Sequence, residues 1–365
     1  MKNTYGNALT VTVFGESHGA AVGAVIDGIS PGIKINGDYI DKKLAMRRPS
    51  GKISTARVES DNYAILSGVF NGYTTGTPIT VVIPNENTKS CDYSELKLLP
   101  RPSHADFSAE CKYHGFQDYR GGGHFSGRVT AALVTAGAII SNALESLGIK
   151  IGTHISRLHG ISDRGFENLD ADINLLSETN FPVLSPEKAE EMHREIELAR
   201  SMGDSVGGIL ESVITGIPAG VGEPWFDSAE SMISHILFSI GGIKGVEFGA
   251  GFSLADMLGS EANDPFVVKD GSIQTKTNKS GGINGGITNG MPIIVRSAVK
   301  PTPSIYKEQT TVNLSSMKEE TQRIEGRHDP AIIHRARAVV DATLAIAVAD
   351  MLTVRFGSDF LAKGK

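Results

Sequence analysis

Arg120-Gly121-Gly122-Gly123-His124-Phe125-Ser126-Gly127-Arg128 leads straight into an apolar, alanine-rich run over residues 129–147. Successive glycines let the backbone turn tightly and bring N–H groups close to a ligand. A helix starting just after them points its positive end at the same spot. The bracketing arginines, Arg120 and Arg128, carry planar forks that match phosphate and carboxylate oxygens. The stretch reads as an anion cradle set against a buried helix. The plainer alternative is a glycine-rich connector with solvent-facing arginines.

The recipe recurs near the far end of the chain. Glu325-Gly326-Arg327-His328-Asp329-Pro330 feeds a long apolar run that predicts a helix over about residues 331–354. Before it, residues 291–299 alternate as a strand does and deliver Lys300-Pro301-Thr302-Pro303-Ser304, a stiff segment of hydroxyls and one lysine. A second glycine loop runs from Asn278 to Gly286, and Gly241-Gly242 follow a helix predicted over residues 228–238. Upstream of the cradle, Leu99-Pro100-Arg101-Pro102-Ser103-His104-Ala105-Asp106 holds one permanent cation and one imidazole in a proline-stiffened loop, which suits proton transfer beside an anion. At the start, a strand over residues 9–14 runs into Gly15-Glu16-Ser17-His18-Gly19. That loop is not the G-x-S-x-G elbow of hydrolases, because Ser17 is not centred between the glycines.

Between these landmarks the pattern predicts strands over residues 21–29, 62–70, 78–83, 150–155 and 208–215. It predicts helices over residues 38–48, with Asn36 or Asp38 as cap, and 186–202, and irregular chain over 161–185. Gly28-Ile29-Ser30-Pro31-Gly32 echoes Gly216-Ile217-Pro218-Ala219-Gly220, a hint of internal duplication. No low-complexity linker separates the halves, so one α/β or α+β domain over residues 1–365 is expected.

Composition narrows the function. The net charge of −6 gives no bulk attraction to nucleic acid or anionic membranes, so any anion site must be local. The cysteines, Cys91 and Cys111, form neither a CxxC nor a metal-ligand cluster, so no metal site is expected. The N-terminus lacks an apolar signal region and no uncharged membrane-length stretch follows, so the expected compartment is the cytoplasm. Neither a G-x-G-x-x-G after a strand nor a G-x-x-x-x-G-K-[ST] is present, against a Rossmann or P-loop site. Arg327-His328 superficially suggests a histidine phosphatase, but Asp329 replaces the glycine of that motif. The residues alone thus indicate an enzyme that handles phosphorylated, anionic small molecules with histidine acid/base help.

Five motifs, in order, carry a resemblance: Gly15-Glu16-Ser17-His18-Gly19, Arg101-Pro102-Ser103-His104-Ala105-Asp106, Asp118-Tyr119-Arg120-Gly121-Gly122-Gly123, Lys300-Pro301-Thr302-Pro303-Ser304 and Gly326-Arg327-His328-Asp329-Pro330. From about residue 6 to 353 the chain resembles the chorismate synthase family. The resemblance implies a β-α-β sandwich and a homotetramer. It implies conversion of 5-enolpyruvylshikimate 3-phosphate to chorismate and phosphate, a 1,4-anti elimination that needs reduced FMN without net redox change. It leaves open whether NADPH serves as the flavin's reductant. By the same resemblance His18 protonates the reduced flavin, His104 assists the departing phosphate, and Asp329 lies near flavin N5 and helps it accept the C6 proton. Ser17, Arg47, Arg101 and Arg128 are expected on the substrate. His124, Phe125, Ser126, Gly241, Gly242, Gly285, Lys300, Pro301, Thr302, Pro303, Ser304 and Arg327 are expected on FMN.

Two departures stand out. Many members of the family read RGGGRSSAR in the cradle, where this chain has His124 and Phe125. An imidazole grips phosphate only when protonated, so flavin binding is expected to weaken as pH rises. Members also place a basic residue near position 53, here Ile53, leaving Lys52 or Arg57 as substitutes. The runner-up reading is a non-catalytic flavin- or phosphate-binding module of the same fold.

Overall fold

The computed structural model describes residues 2–49, 53–54, 60–86, 97–324, 326 and 328–362. Arg327, Lys52, Arg57 and Cys91 lie outside them. Two helices form the middle of the molecule. The cradle runs into Thr130–Ser146, and the second recipe into Ile333–Phe356. The two pack face to face with small residues at the crossing, and a Cβ added at Gly137 would lie 2.4 Å from the Ala342 Cβ. Alanine and glycine permit that approach, and the core is filled by Val134, Ile140, Leu144, Val340, Leu344 and Val348. The first helix is long and apolar enough for a bilayer, yet most of it is buried inside the protein.

A five-stranded sheet covers each side of this helical layer. The first sheet runs Thr4–Tyr5, Thr10–Gly15, Ala21–Asp27, Ile79–Pro84, Ala64–Ile65 in spatial order. The second runs Ile243–Phe248, Ile293–Val299, Gly208–Thr215, Lys150–Leu158, Ile161–Ser162. Every pairing is antiparallel, so the class is α+β rather than α/β. Alternation dictates the buried faces: Ile79, Val81 and Ile83 in the first sheet, Ile293, Val295 and Val299 in the second.

The halves repeat one plan. In each, a central strand leaves through the echoed Gly-Ile-(Ser/Pro) turn into a short helix, then a neighbouring strand, then a long helix of the middle layer. Gly28 and Gly216 both adopt a left-handed φ, +80° and +82°. The short helices are capped as the sequence indicates, by Asn36 at Gly37–Arg47 and by Ser228 at Ala229–Leu237. The fully buried Asp350 carboxylate of the last long helix accepts the backbone N–H groups of Asn7 (2.9 Å), Ala8 (2.8 Å) and Leu9 (3.0 Å), which starts the first sheet.

Two expectations are corrected and one element is new. The strand expected over 62–70 exists only as Ala64–Ile65 and Val69–Phe70, because Gly68 turns at φ +79° against Ile79. The irregular stretch 161–185 contains the helix Leu169–Glu178, capped by Asn168. The polar hairpin Glu308–Asn313 with Lys318–Arg323 was not anticipated.

Candidate active site

The cradle glycines are the hinge of the site. Gly121, Gly122 and Gly123 all have left-handed φ (59°, 82° and 52°), which side chains rarely tolerate. A Cβ on Gly121 would meet His18 Cε1 at 2.3 Å and Ser17 Oγ at 3.0 Å. One on Gly122 would meet His104 Cε1 at 3.4 Å and Arg101 Nη2 at 3.8 Å. The glycines therefore lie between the Ser17–His18 turn and the Arg101–His104 loop. Gly123 O accepts the Ser17 N–H (3.0 Å) and His124 Nδ1 donates to Gly15 O (2.8 Å), which ties the cradle to the end of the first strand.

Asp106 organises the second loop. Its carboxylate accepts from Arg101 Nε (2.8 Å) and Nη2 (2.8 Å) and lies 2.6 Å from His104 Nδ1. Burial pushes the Asp106 carboxyl up, but the hydrogen bonds from Arg101 and His104 outweigh it and hold the group well below the usual carboxylate range. An ionised Asp106 fixes the Nδ1–H tautomer of His104 and turns Nε2 toward Gly122. This is the orienting role that a carboxylate plays behind a working imidazole.

The other expected residues take distinct places. Lys300 donates Nζ to Ser103 O and its backbone N–H to Gly242 O (2.9 Å), so Gly242 and the 300–304 segment join the Arg101–His104 loop. Burial, then the nearby Lys244, pushes the Lys300 ammonium down. Thr302 Oγ1 is buried without a partner among the described residues, and Ser304 is buried. Asp329 is held by Arg335 Nη1 at 2.6 Å. Arg335 in turn donates Nε to Arg47 O (2.9 Å). Ser126 caps the turn that carries Arg128, while Phe125 is half-exposed and packs edge-on to Tyr113.

Some residues depart from expectation. Gly285 sits in a tight turn beside Gly286, which abuts Glu223 and Ser228. That turn is at the Ile293 end of the strand Ile293–Val299, whereas Lys300 leaves the other end. Gly241 has nothing near its missing side chain. Ile53 is a core residue, 4% exposed. Arg47 and Arg128 are buried and both reach the buried Asp61.

Sequence reading passed over Asp61, Asn85, Asp106, Arg335 and, as a site residue, His328. His328 lies within the fields of Arg101 and Asp329. Burial, then Arg101, pushes its imidazole down, and its buried Nδ1 has no partner among the described residues. Asp106 stood inside a quoted motif and was legible there. The partners of Asp61 lie up to 67 residues away in sequence.

Taken together, the cluster offers imidazoles, guanidinium groups and unpaired buried hydroxyls around a backbone loop that accepts no side chain. That suits anionic ligands. The chorismate synthase family model matches residues 9–353. The chorismate synthase of Pyrococcus abyssi is 49% identical over 350 residues, 96% of this chain and 97% of that protein. That of Thermococcus kodakarensis is 46% identical over 351 residues, again 96% and 97%. A crystal structure of chorismate synthase superposes with a TM-score of 0.76 at 29% identity, covering 98% of this chain and 96% of that one. With a family model matched over most of its length and relatives of that family nearly half identical to it, the chain belongs to the chorismate synthase family.

Proposed function

We propose that the cluster around Gly121 and Gly122 is where this chain carries out the reaction of its family, elimination of phosphate from 5-enolpyruvylshikimate 3-phosphate to give chorismate. The observation that supports this reading best is the convergence of Ser17–His18 and Arg101–His104 on opposite sides of two glycines. Ser17 Oγ, Thr302 Oγ1 and His328 Nδ1 are buried without partners among the described residues, and the glycines clear a surface for a planar group. These features fit a flavin beside an anionic substrate. Reduced FMN, when bound, supplies the electron chemistry of the elimination. His124, Ser126, Gly242, Lys300, Thr302 and Ser304 are the residues assigned to it, with Arg327 completing the set.

The chain's own groups do the remaining work. His104, oriented by Asp106, presents Nε2 to the departing phosphate, and Arg101 neutralises the charge that develops. Asp329, held by Arg335, is the carboxylate assigned to help the flavin accept the C6 proton. His18 is the imidazole assigned to protonation of the reduced flavin, and Ser17 donates to a substrate oxygen. NADPH is the proposed flavin reductant, a homotetramer the proposed assembly, and the cytoplasm the proposed compartment.

The test is anaerobic mixing of the protein with 5-enolpyruvylshikimate 3-phosphate and photoreduced FMN, following chorismate absorbance. One cell omits flavin and another replaces light with NADPH. Chorismate formed only with reduced FMN supports the reading. Phosphate without chorismate or flavin would favour a phosphatase, and FMN binding without turnover the non-catalytic module. His18→Ala and His104→Ala are each expected to slow turnover about a hundredfold or more while FMN still binds.

A further inference from the structure

Asp61 lies outside the five motifs, yet three arginines gather on it. Its side chain is 1% exposed. Its Oδ1 accepts from Arg128 Nη1, and its Oδ2 lies 3.2 Å from Arg47 Nη1 and 3.5 Å from Arg48 Nε. Asp61 is thus the common carboxylate of three arginines, two of them buried with it and Arg48 partly exposed. The backbone of Asp61 is at φ +50°, a conformation few residues other than glycine adopt readily, so the carboxylate is aimed inward at a local cost.

The network does not stop at the arginines. Arg47 also donates Nε to Thr130 Oγ1 (2.9 Å) and Nη2 to Gly127 O (2.9 Å), fixing it to the start of the cradle helix. Arg128 donates Nη2 to Pro84 O (2.9 Å) and Nε to Asn85 Oδ1 (2.9 Å). Asn85 then donates Nδ2 to Glu16 O and Gly19 O, both at 2.9 Å, on either side of Ser17 and His18. A continuous chain of polar contacts therefore runs from Asp61 through Arg128 and Asn85 to the turn that carries His18.

We propose that Asp61 is a positioning residue: the buried carboxylate that aligns Arg47 and Arg128 for the substrate's anionic groups and, through Asn85, indexes the Ser17–His18 turn against them. Without it, like charges on Arg47 and Arg128 repel and their planes lose a common reference. The inference rests on the proposed function, since it takes the arginines to face 5-enolpyruvylshikimate 3-phosphate.

The experiment titrates that compound into the protein by calorimetry with oxidised FMN present, so that binding is read without turnover. Flavin affinity and melting temperature are measured alongside. Asp61→Asn is expected to weaken substrate binding by about tenfold or more while the FMN dissociation constant stays within about threefold. Asp61→Glu keeps the charge and is expected to recover part of the loss. Asn85→Ala leaves the carboxylate in place and tests the link should Asp61→Asn not fold. It is expected to weaken substrate binding by about threefold and to shift the pH profile of kcat/KM. A merely structural Asp61 would lower the melting temperature with unchanged substrate affinity, and that result overturns the inference. So does an Asn85→Ala variant with wild-type affinity and pH profile. If the unaltered protein binds and converts the substrate while Asp61→Asn matches it, the proposed function stands and only this inference falls. If the unaltered protein neither binds nor converts it, both fall.

Discussion

Gly121 occupies a point where even one methyl group collides with the His18 ring, at a backbone angle of φ +59°. Gly121→Ala is expected to displace His18 and cut turnover about a hundredfold, because misplacement of a reacting group by an ångström has that effect. A melting curve close to that of the unaltered protein, with turnover measured under reduced FMN, would separate a local displacement from unfolding. A second residue-scale consequence concerns acid. Burial, then Arg335 and His193, pushes the His334 imidazole down from 6.5 to about 3. The folded protein keeps this ring neutral while the unfolded chain takes up a proton below pH 6.5, so the stability it contributes is present above that value and lost as pH falls toward about 3. His193 and His328 are also pushed down and act in the same sense, whereas His154, pushed up overall by Asp163 and Glu211 against its burial, acts in the opposite one. His334→Gln is therefore expected to flatten the fall in the urea midpoint between about pH 7 and about pH 5. An unchanged slope would remove His334 from the account.

At the scale of elements, the crossing of the two long helices is set by Gly137 against Ala342. Gly137→Ala adds a methyl where backbone atoms of Ala342 lie at 2.6 Å and 2.7 Å, and no flexible side chain is there to yield. The expected cost is about 1–3 kcal/mol by chemical denaturation, outweighing the better helix propensity of alanine. The same scale explains what could be read from the chain alone. Ser185 followed by Pro186, and Ser228 ahead of an amphipathic run, are local signals, and both helices begin where those signals stand. The helix Leu169–Glu178 escaped because Asp170 and Asp172, which favour its positive end, look like loop residues when only hydrophobic spacing is weighed. Within the site, the glycines, His18 and His104 were legible because tight backbone and titratable groups share short motifs. Asp61 was not, since its meaning depends on Arg47, Arg48 and Arg128 arriving from two other segments.

On the scale of the whole molecule, the outer surface carries large apolar groups that one chain leaves in water. Phe266, Val268 and Ile273 on one hairpin are 73%, 79% and 72% exposed, and Trp225 and Phe226 are more exposed still. Patches of this kind mark association surfaces. They support the proposed homotetramer, in which copies of the chain cover them. A lysine at position 273, as Ile273→Lys, is expected to shift the species seen by light scattering to a smaller mass with the fold intact by circular dichroism. A mass unchanged from that of the unaltered protein would place the contact elsewhere. The middle layer has one further consequence. Every strand of both sheets precedes Ile333 in the chain, yet the second of the two helices they sandwich is Ile333–Phe356, and its Asp350 anchors Asn7, Ala8 and Leu9. On the ribosome the backbone N–H groups of Asn7, Ala8 and Leu9 must therefore wait for that carboxylate while roughly 340 further residues are made, for tens of seconds at about 5–20 residues per second.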